Sequence, residues 1–413
     1  MQEDLLSTAR PSARALVEQF DDFVARKIDP LDKALERYPE HERLEPDGRL
    51  AAPFVQAKRE ANRRSAAAGL YALHLPQSLG GRGYSLADLF HLHEHVFRRG
   101  YTLALDAMAH LEGPSANLQH LPEGARERYL EPLLRGEAWQ CGAVTEPRSG
   151  GSDITQMHAE AQRTGDGWRL NAHKWLISYA PFAEFAQVYA ATDSGAGTRS
   201  LTGFMVEADW PGFRRGPVNR TMIDDGVTGS FVCTDVVVPP ENVIGEVGAG
   251  LSVFLEFINW SRVRRGGQAV GLAWYCYDLA TRHVARRRVY GGHLGSLQTV
   301  QFSIVDMYLD IMRTRAFVLR CLEEIDAAGG IWSLRLEPEV VRNVCAVKVL
   351  GEEMLFRVAD SALQLLGGLG LLKETKLEHV FRIARNLRIP GGNSDLMRDT
   401  IAKTLLPSEL FPG

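Results

Sequence analysis

The sequence has few features of secreted, zinc-binding or membrane-spanning proteins. Its five cysteines are scattered and odd in number, with no C-x-x-C pair, so a reduced, cytoplasmic protein without a structural zinc site is the simplest interpretation. No apolar run of about 18 residues occurs, and the N-terminal segment lacks a signal-peptide core, so we expect neither a membrane span nor secretion. Neither G-x-G-x-x-G nor a phosphate-loop lysine motif is present, so neither standard nucleotide-binding fold is indicated.

The charge balance is slightly acidic, with a formal net charge of −4. This balance gives no overall basic field, and no nucleic-acid partner is predicted. The length of 413 residues and the hydrophobic content of 45% allow a large core that is divided into two or three subdomains.

The hydrophobic pattern changes twice along the chain. Residues 1–137 carry apolar positions at helical spacing, as in the segment from Arg14 to Leu35. Residues 138–245 alternate in short runs separated by turn signals, which is typical of strands. Residues 246–413 return to long helices. We therefore predict an α+β fold with a helical, a β and a second helical domain.

One pair of histidines could hold a metal ion. His91 and His95 lie four residues apart on one predicted helix, a spacing that metal sites use. No third ligand cluster is evident, so a histidine pair at the surface or an interface is predicted and no metal site is proposed.

The most informative stretch begins CGAVTEPRSGGSD at Cys141 and ends at Ser178. A strand of small and β-branched residues brings the hydroxyl group of Thr145 close to any flat ligand, and Pro147 ends it. The following glycine-rich loop suits a polar or anionic ligand, because glycine permits close backbone approach. An ordinary β-hairpin with a glycine loop explains the same letters, and spacing alone does not separate the two interpretations.

Four motifs in the same order resemble the acyl-CoA dehydrogenase family. They are AVTEPRSGGSD with the HKWLIS strand, RRVYGG followed by Gln298, LQLLGGLG, and the C-terminal IPGGNSD. The exit segment DVVVPPENVIG is similar as well. Leu176 and Ser178 stand where the family usually has tryptophan and threonine, and the glycine loop has one extra residue.

The resemblance implies a helical N-terminal domain, a β-barrel-like middle domain and a C-terminal four-helix domain, with FAD as the cofactor. The implied FAD contacts are Val144, Thr145, Ser152, Leu176, Ser178, Arg287, Tyr290, Gln298, Gln364, Gly367, Gly368, Asn393 and Asp395. The implied substrate contacts are Ser152, Ser261 and Arg262. Because the positions of Arg287 and Gln298 and the glycine segment after Gln364 reach a neighbouring subunit's FAD in the family, a homodimer or homotetramer is expected.

Arginines cluster on the first long helix of the C-terminal region, at Arg262, Arg264 and Arg265. From the residues alone this cluster is either a solvated helix face or a phosphate clamp, since guanidinium groups match phosphate oxygens.

The catalytic base is where the sequence departs most from the resemblance. Gly391 and Ser261 occupy the two positions at which family members carry a catalytic glutamate. Glycine has no proton acceptor, and a serine hydroxyl is a poor base unless another group activates it. If the reaction is dehydrogenation, another acid must act, with Asp395 as the leading candidate and Glu256 as the weaker one.

Three functions remain open at this point. The first is α,β-dehydrogenation of an acyl thioester, carried by CoA or by a carrier protein, with an electron-transfer flavoprotein or oxygen as electron acceptor. The second is a flavin-dependent monooxygenase or oxidase on the same fold. The third is a non-catalytic flavin-binding relative, which the acidic charge balance makes the weakest.

Overall fold

The computed structural model describes residues 6–7, 9–100, 102–109, 112–165, 167–193, 200–223 and 225–411. Its helices and strands follow the predicted order of helical, β and helical regions. The strands of the main sheet lie between Gln140 and Ile244, and the first long C-terminal helix begins at Gly250. The α+β fold is therefore confirmed, while the domain boundaries at 137/138 and 245/246 stay predictions.

Five α-helices lie in the described part of the N-terminal region. They are α1 (Pro11–Phe23), α2 (Asp29–Leu35), α3 (Ala52–Ala67), α4 (Leu86–Arg98) and α5 (Glu123–Leu134). The segment predicted as one helix from Arg14 to Leu35 is α1 and α2 joined by a π-helical turn, Val24–Ile28. Helix α4 begins where Ser85 Oγ accepts a hydrogen bond from the backbone N–H of Asp88, as its N-cap position predicts.

The described residues of the middle region form an eight-stranded sheet. Its strands are β1 (Gln140–Ala143), β2 (Glu160–Thr164), β3 (Gly167–Ser178), β4 (Phe185–Ala191), β5 (Leu201–Glu207), β6 (Phe213–Val218), β7 (Thr228–Val238) and β8 (Val243–Ile244). Their spatial order is β6-β7-β3-β2-β4-β5-β8, and β1 adds to β4 in parallel. The β2–β3 hairpin predicted from the T-G-D-G turn is present, with Thr164 opposite Gly167.

The C-terminal region is a helical bundle. Its helices are α6 (Gly250–Arg286), α7 (Gln298–Ala327), α8 (Pro338–Leu366), α9 (Leu377–Leu387) and α10 (Ser394–Leu405), and the short hairpin of β9 (Arg288–Val289) and β10 (Gly292–His293) joins α6 to α7. Glycines let α6 approach α4 closely: a Cβ at Gly267 would lie 2.7 Å from the Cβ of His93, and one at Gly271 would lie 2.4 Å from the carbonyl oxygen of Glu94.

Within the described residues, the segment Pro338–Leu371 is long and apolar enough to cross a membrane by length and composition. It contains α8, which packs inside this bundle and carries the fully buried Lys348 and Glu352. Core helices of soluble proteins also meet these criteria of length and composition.

The predicted histidine pair is divided between different partners. His91 is buried beside Glu94 and Arg315, whereas His95 Nε2 lies 2.7 Å from Asp21 Oδ2. The prediction of a surface or interface pair is therefore wrong for His91, because α4 is packed between α1, α6 and α7. Across the described part of the chain, no group of three or more His, Cys, Asp or Glu side chains is arranged to hold a metal ion.

Candidate active site

The segment after β1 is joined to the end of β3. Thr145 accepts a hydrogen bond at its backbone carbonyl from the N–H of Trp175, at 3.0 Å. Lys174 Nζ donates to the carbonyl oxygen of Val144 at 3.1 Å and to Glu146 Oε1 at 2.8 Å. These bonds bring Val144 and Thr145 beside the β3 positions that the sequence predicted to share a ligand with them.

Lys174 and Glu146 form a fully buried ion pair under this junction. Glu146 also accepts hydrogen bonds from the backbone N–H groups of His158, at 2.7 Å, and Ala159, at 2.9 Å. Burial lowers the pKa of Lys174 to about 8, against the stabilising charge of Glu146. Burial opposes ionisation of Glu146, yet Lys174 and the two N–H donors together hold its pKa below the ordinary value. Both groups are therefore charged near neutral pH.

The surface above the ion pair is open and shaped by the backbone. Leu176 has a φ of +54° and lies at a bulge in β3, with its side chain 42% exposed. A residue other than glycine rarely adopts this conformation, which here turns Leu176 outward. In the adjacent loop, a Cβ at Gly151 would lie 2.7 Å from Thr145 Oγ1, so only glycine leaves the hydroxyl accessible. Ser178 is partly exposed near this bulge, and Ser152 is exposed in the loop.

The loop between α9 and α10 holds a second group of predicted site residues. Gly391 and Gly392 have φ values of +76° and +91°, and Asn393 caps α10 by accepting from the N–H groups of Asp395 and Leu396. The hydroxyl group of Ser394 is buried and has no hydrogen-bond partner in the protein. A buried hydroxyl without a partner is a donor that a bound ligand can use.

Two arginines of α6 hold this loop from below. Arg262 Nε donates to the carbonyl oxygen of Gly391 at 2.9 Å. Arg265 Nη1 donates to the carbonyl oxygen of Pro390 at 2.7 Å and to Glu352 Oε1 at 2.8 Å. Arg264 and Arg265 are each 5% exposed, so the solvated-face interpretation of the arginine cluster is wrong for these two residues.

The two candidate bases lie in very different surroundings. The Asp395 side chain is 95% exposed and bonds to Arg398 at 3.1 Å. Glu256 is fully buried, and its two oxygens accept from Gln119 and bond to His120, each at 2.6 Å. Glu256 precedes Arg265 by nine residues, about two and a half helical turns, so the two side chains leave α6 on opposite faces. Neither carboxylate occupies the place of Gly391 or of Ser261, which is itself buried.

The remaining predicted FAD contacts form a separate group on the bundle surface. Arg287, Tyr290, Gln298, Gln364, Gly367 and Gly368 are all exposed, and Tyr290 is 97% exposed. Helix α7 starts where α6 ends, and the Arg357–Asp310 ion pair shows that α8 returns antiparallel to α7. These six residues therefore lie toward one end of the bundle, on a surface open to a partner, and their role across a subunit boundary stays a prediction.

Several supporting residues were not predicted from the sequence. Glu146 and Lys174 lay within recognised motifs, but nothing in a single sequence indicates that they pair. Arg265, Lys348 and Glu352 form a buried network in which Lys348 Nζ lies 2.6 Å from Glu352 Oε2. For Arg265, the signal available in the sequence was a basic residue next to glycines on a helix that proved to be buried.

Comparison with known proteins identifies the family. Residues 141–236 match "Acyl-CoA dehydrogenase, middle domain" and residues 248–406 match "Acyl-CoA dehydrogenase, C-terminal domain", together more than half of the chain. The chain is 30% identical to isovaleryl-CoA dehydrogenase from rice (Oryza sativa subsp. japonica) over 348 residues, covering 82% of this chain and 81% of that protein.

Two further similarities extend over almost the whole chain. A 3-(aryl)acrylate reductase from Clostridium sporogenes is 25% identical over 390 residues, which covers 93% of this chain and 100% of that protein. A solved structure of a putative acyl-CoA dehydrogenase from Mycobacterium smegmatis superposes with a TM-score of 0.82 at 27% identity, covering 96% of this chain and 98% of that chain.

The open face of Thr145, Leu176 and Ser178 and the unpaired hydroxyl of Ser394 fit the cofactor of this family. FAD is that cofactor, and its flavin ring system and ribityl hydroxyls need such a flat surface with donors. The chain belongs to the acyl-CoA dehydrogenase family, the FAD-dependent oxidoreductases that act on CH–CH groups.

Proposed function

We propose that the protein catalyses α,β-dehydrogenation of an acyl thioester carried by CoA or by a carrier protein. The observation that carries the proposal is the open β3 surface beside Thr145 in a chain of this family, which also holds the predicted Gly391–Asn393 loop on Arg262. In this proposal Val144, Thr145, Leu176 and Ser178 orient the flavin, which accepts the β-hydride when bound.

The substrate contacts proposed from the family positions are Ser152, Ser261 and Arg262. Thioester α-protons are acidic because hydrogen-bond donors at the carbonyl stabilise the developing enolate charge. Arg262 donates to the carbonyl oxygen of Gly391 beside the loop, and buried Ser261 lies one residue before it on α6.

The proton acceptor is proposed to have moved from the usual positions. Asp395 adjoins the Gly391–Asn393 loop, whereas Glu256 is held on the face of α6 opposite Arg265. Asp395 is therefore the better of the two candidates. Because its side chain is exposed, substrate binding must exclude water from it before it can act as a general base.

An oxygen-using flavoenzyme is the second candidate function. The observation that favours it is the absence of a carboxylate at both Gly391 and Ser261, since oxidation of a substrate with oxygen does not require removal of an α-proton. Under either function we propose a cytoplasmic homodimer or homotetramer, with an electron-transfer flavoprotein or oxygen accepting the electrons.

One experiment separates the two functions. The FAD-loaded protein is mixed with a panel of acyl thioesters in the absence of oxygen, and the flavin absorbance is followed. Bleaching by a thioester supports dehydrogenation. Bleaching by none of them, together with substrate-dependent oxygen uptake by the reduced protein, rejects dehydrogenation and supports the second candidate.

A further inference from the structure

The underside of the Gly391 loop carries more positive than negative charge. Arg262, Arg265 and Lys348 all lie below the loop, while Glu352 is the carboxylate that pairs with Arg265 and Lys348 there. Glu352 is completely buried, and it is the carboxylate shared by Arg265 and Lys348.

The carboxylates on the outer side of the loop are engaged by other arginines. Glu353 bonds to Arg388 at 3.0 Å and to Arg398 at 3.4 Å, and Asp395 also bonds to Arg398. These contacts leave no carboxylate directed at Arg262 from the outer side.

Arg262 has only neutral acceptors. Its Nε donates to the carbonyl oxygen of Gly391, and its Nη1 donates to Asn259 Oδ1 at 3.1 Å. Among the residues that the structure describes, no Asp or Glu oxygen lies within ion-pair distance of its guanidinium group. Beside it, the Nε of Arg265 is buried and has no hydrogen-bond partner.

Such an arrangement is unfavourable without an anion. A partly buried guanidinium group loses hydration and is stabilised when a carboxylate binds it, often through two parallel hydrogen bonds. Position 391 is where the family most often provides a glutamate, but this chain has glycine there. A Cβ at Gly391 would lie 3.4 Å from Arg265 Nη2, and one at Gly392 would lie 2.5 Å from Met397 Cε and 3.4 Å from Arg262 Nη2, so the loop backbone packs directly on the two arginines.

We propose that the substrate supplies the missing anion: its acyl chain carries a second carboxylate, and Arg262 binds that carboxylate beside Gly391. This inference rests on the proposed function and adds the substrate class, a thioester of a dicarboxylic acid. Arg262 is thus the residue that determines specificity.

The test compares thioesters of equal chain length with and without the second carboxylate. FAD-loaded protein is mixed without oxygen with pentanoyl-CoA or glutaryl-CoA, and with hexanoyl-CoA or adipyl-CoA, and the half-saturating concentration for flavin bleaching is measured. A charge-assisted hydrogen bond predicts a preference of at least about tenfold for the carboxylated member of a pair. Arg262→Gln should abolish that preference, whereas Arg262→Lys should retain part of it.

A second pair of variants tests the inference even if the Arg262 variants do not fold. Gly391→Glu places the protein's own carboxylate beside Arg262 and should abolish the preference. Gly391→Gln imposes the same backbone strain without charge and should keep it.

The outcomes separate this inference from the proposed function. Equal half-saturation by both members of each pair overturns the inference and leaves dehydrogenation standing. The inference is also overturned if folded Arg262→Gln is isolated without FAD, because Arg262 then serves the cofactor. If neither kind of thioester bleaches the flavin, the proposed function itself is rejected. The same conclusion follows if only the free diacids bleach it.

Discussion

Replacing Lys174 by methionine should destabilise the protein and loosen its hold on FAD. The side chain of Lys174 is completely buried, and its ammonium group bonds to Glu146 and to the carbonyl oxygen of Val144. Removing one partner of a buried ion pair typically costs about 3–5 kcal/mol, because the remaining charge has no compensation. We therefore expect the free energy of unfolding in urea to fall by roughly 4 kcal/mol.

A double variant tests the stated cause. Glu146→Gln combined with Lys174→Met removes both charges and should recover part of that loss, because no uncompensated charge remains and the amide oxygen can still accept from one of the two N–H groups of His158 and Ala159. Arg169→Met is the matched control, because Arg169 is an exposed cation on the same strand, and it should change stability by less than about 0.5 kcal/mol. A loss of unfolding free energy below about 1 kcal/mol for Lys174→Met would show that Glu146 is not left as an uncompensated buried charge.

Three further predictions follow from the site and its surroundings. Arg287→Ala should weaken FAD retention in a dilution assay by on the order of 2 kcal/mol, and equal retention by this variant and the neighbouring control Arg288→Ala would exclude the proposed contact. Asp395→Asn should slow bleaching by a thioester at least about 100-fold if Asp395 is the base, and an unchanged rate excludes it. Burial lowers the pKa of His74 from 6.5 to about 3 and that of His93 from 6.5 to about 4. Below pH 6.5 the unfolded state therefore binds more protons than the folded state, and the free energy of unfolding should fall as the pH drops toward 4. Urea unfolding at pH 7 and 5 checks this, and His93→Asn, which keeps a donor for the carbonyl of Leu89, should show a weaker dependence than the wild type.

The sequence was sufficient for the order of the domains and for the family. Hydrophobic periodicity separated helical from β regions because it depends on neighbours along the chain. The Thr145 and β3 segments were predicted to act together, and the Trp175–Thr145 hydrogen bond joins them. This prediction was possible because both segments belong to one motif that resembles the acyl-CoA dehydrogenase family.

The buried charges could not be predicted in the same way. Lys174 and Glu146 are 28 residues apart, and Arg265 and Glu352 are 87 residues apart, so only the folded chain shows that each pair is in contact. For Arg264 and Arg265 the sequence left a solvated face and a phosphate clamp open, and the first was plausible because charge usually implies exposure. The glycines that follow them let α4 and α8 close over this part of α6.

The base and the subunit contacts remain predictions for physical reasons too. Asp395 was chosen because it lies near Gly391 in sequence, and its backbone N–H does donate to the Asn393 cap of the same loop, but its carboxylate faces solvent and Arg398. The predicted role of the group containing Arg287 and Tyr290 depends on a second subunit, and the single chain shows only that these residues are exposed.

The flavin content and reactivity of the purified protein give the most direct test of the proposed function. We expect a yellow protein with one FAD per chain that loses its flavin absorbance when an acyl thioester is added without oxygen. A folded protein that is colourless and cannot be reconstituted with FAD would rule this function out.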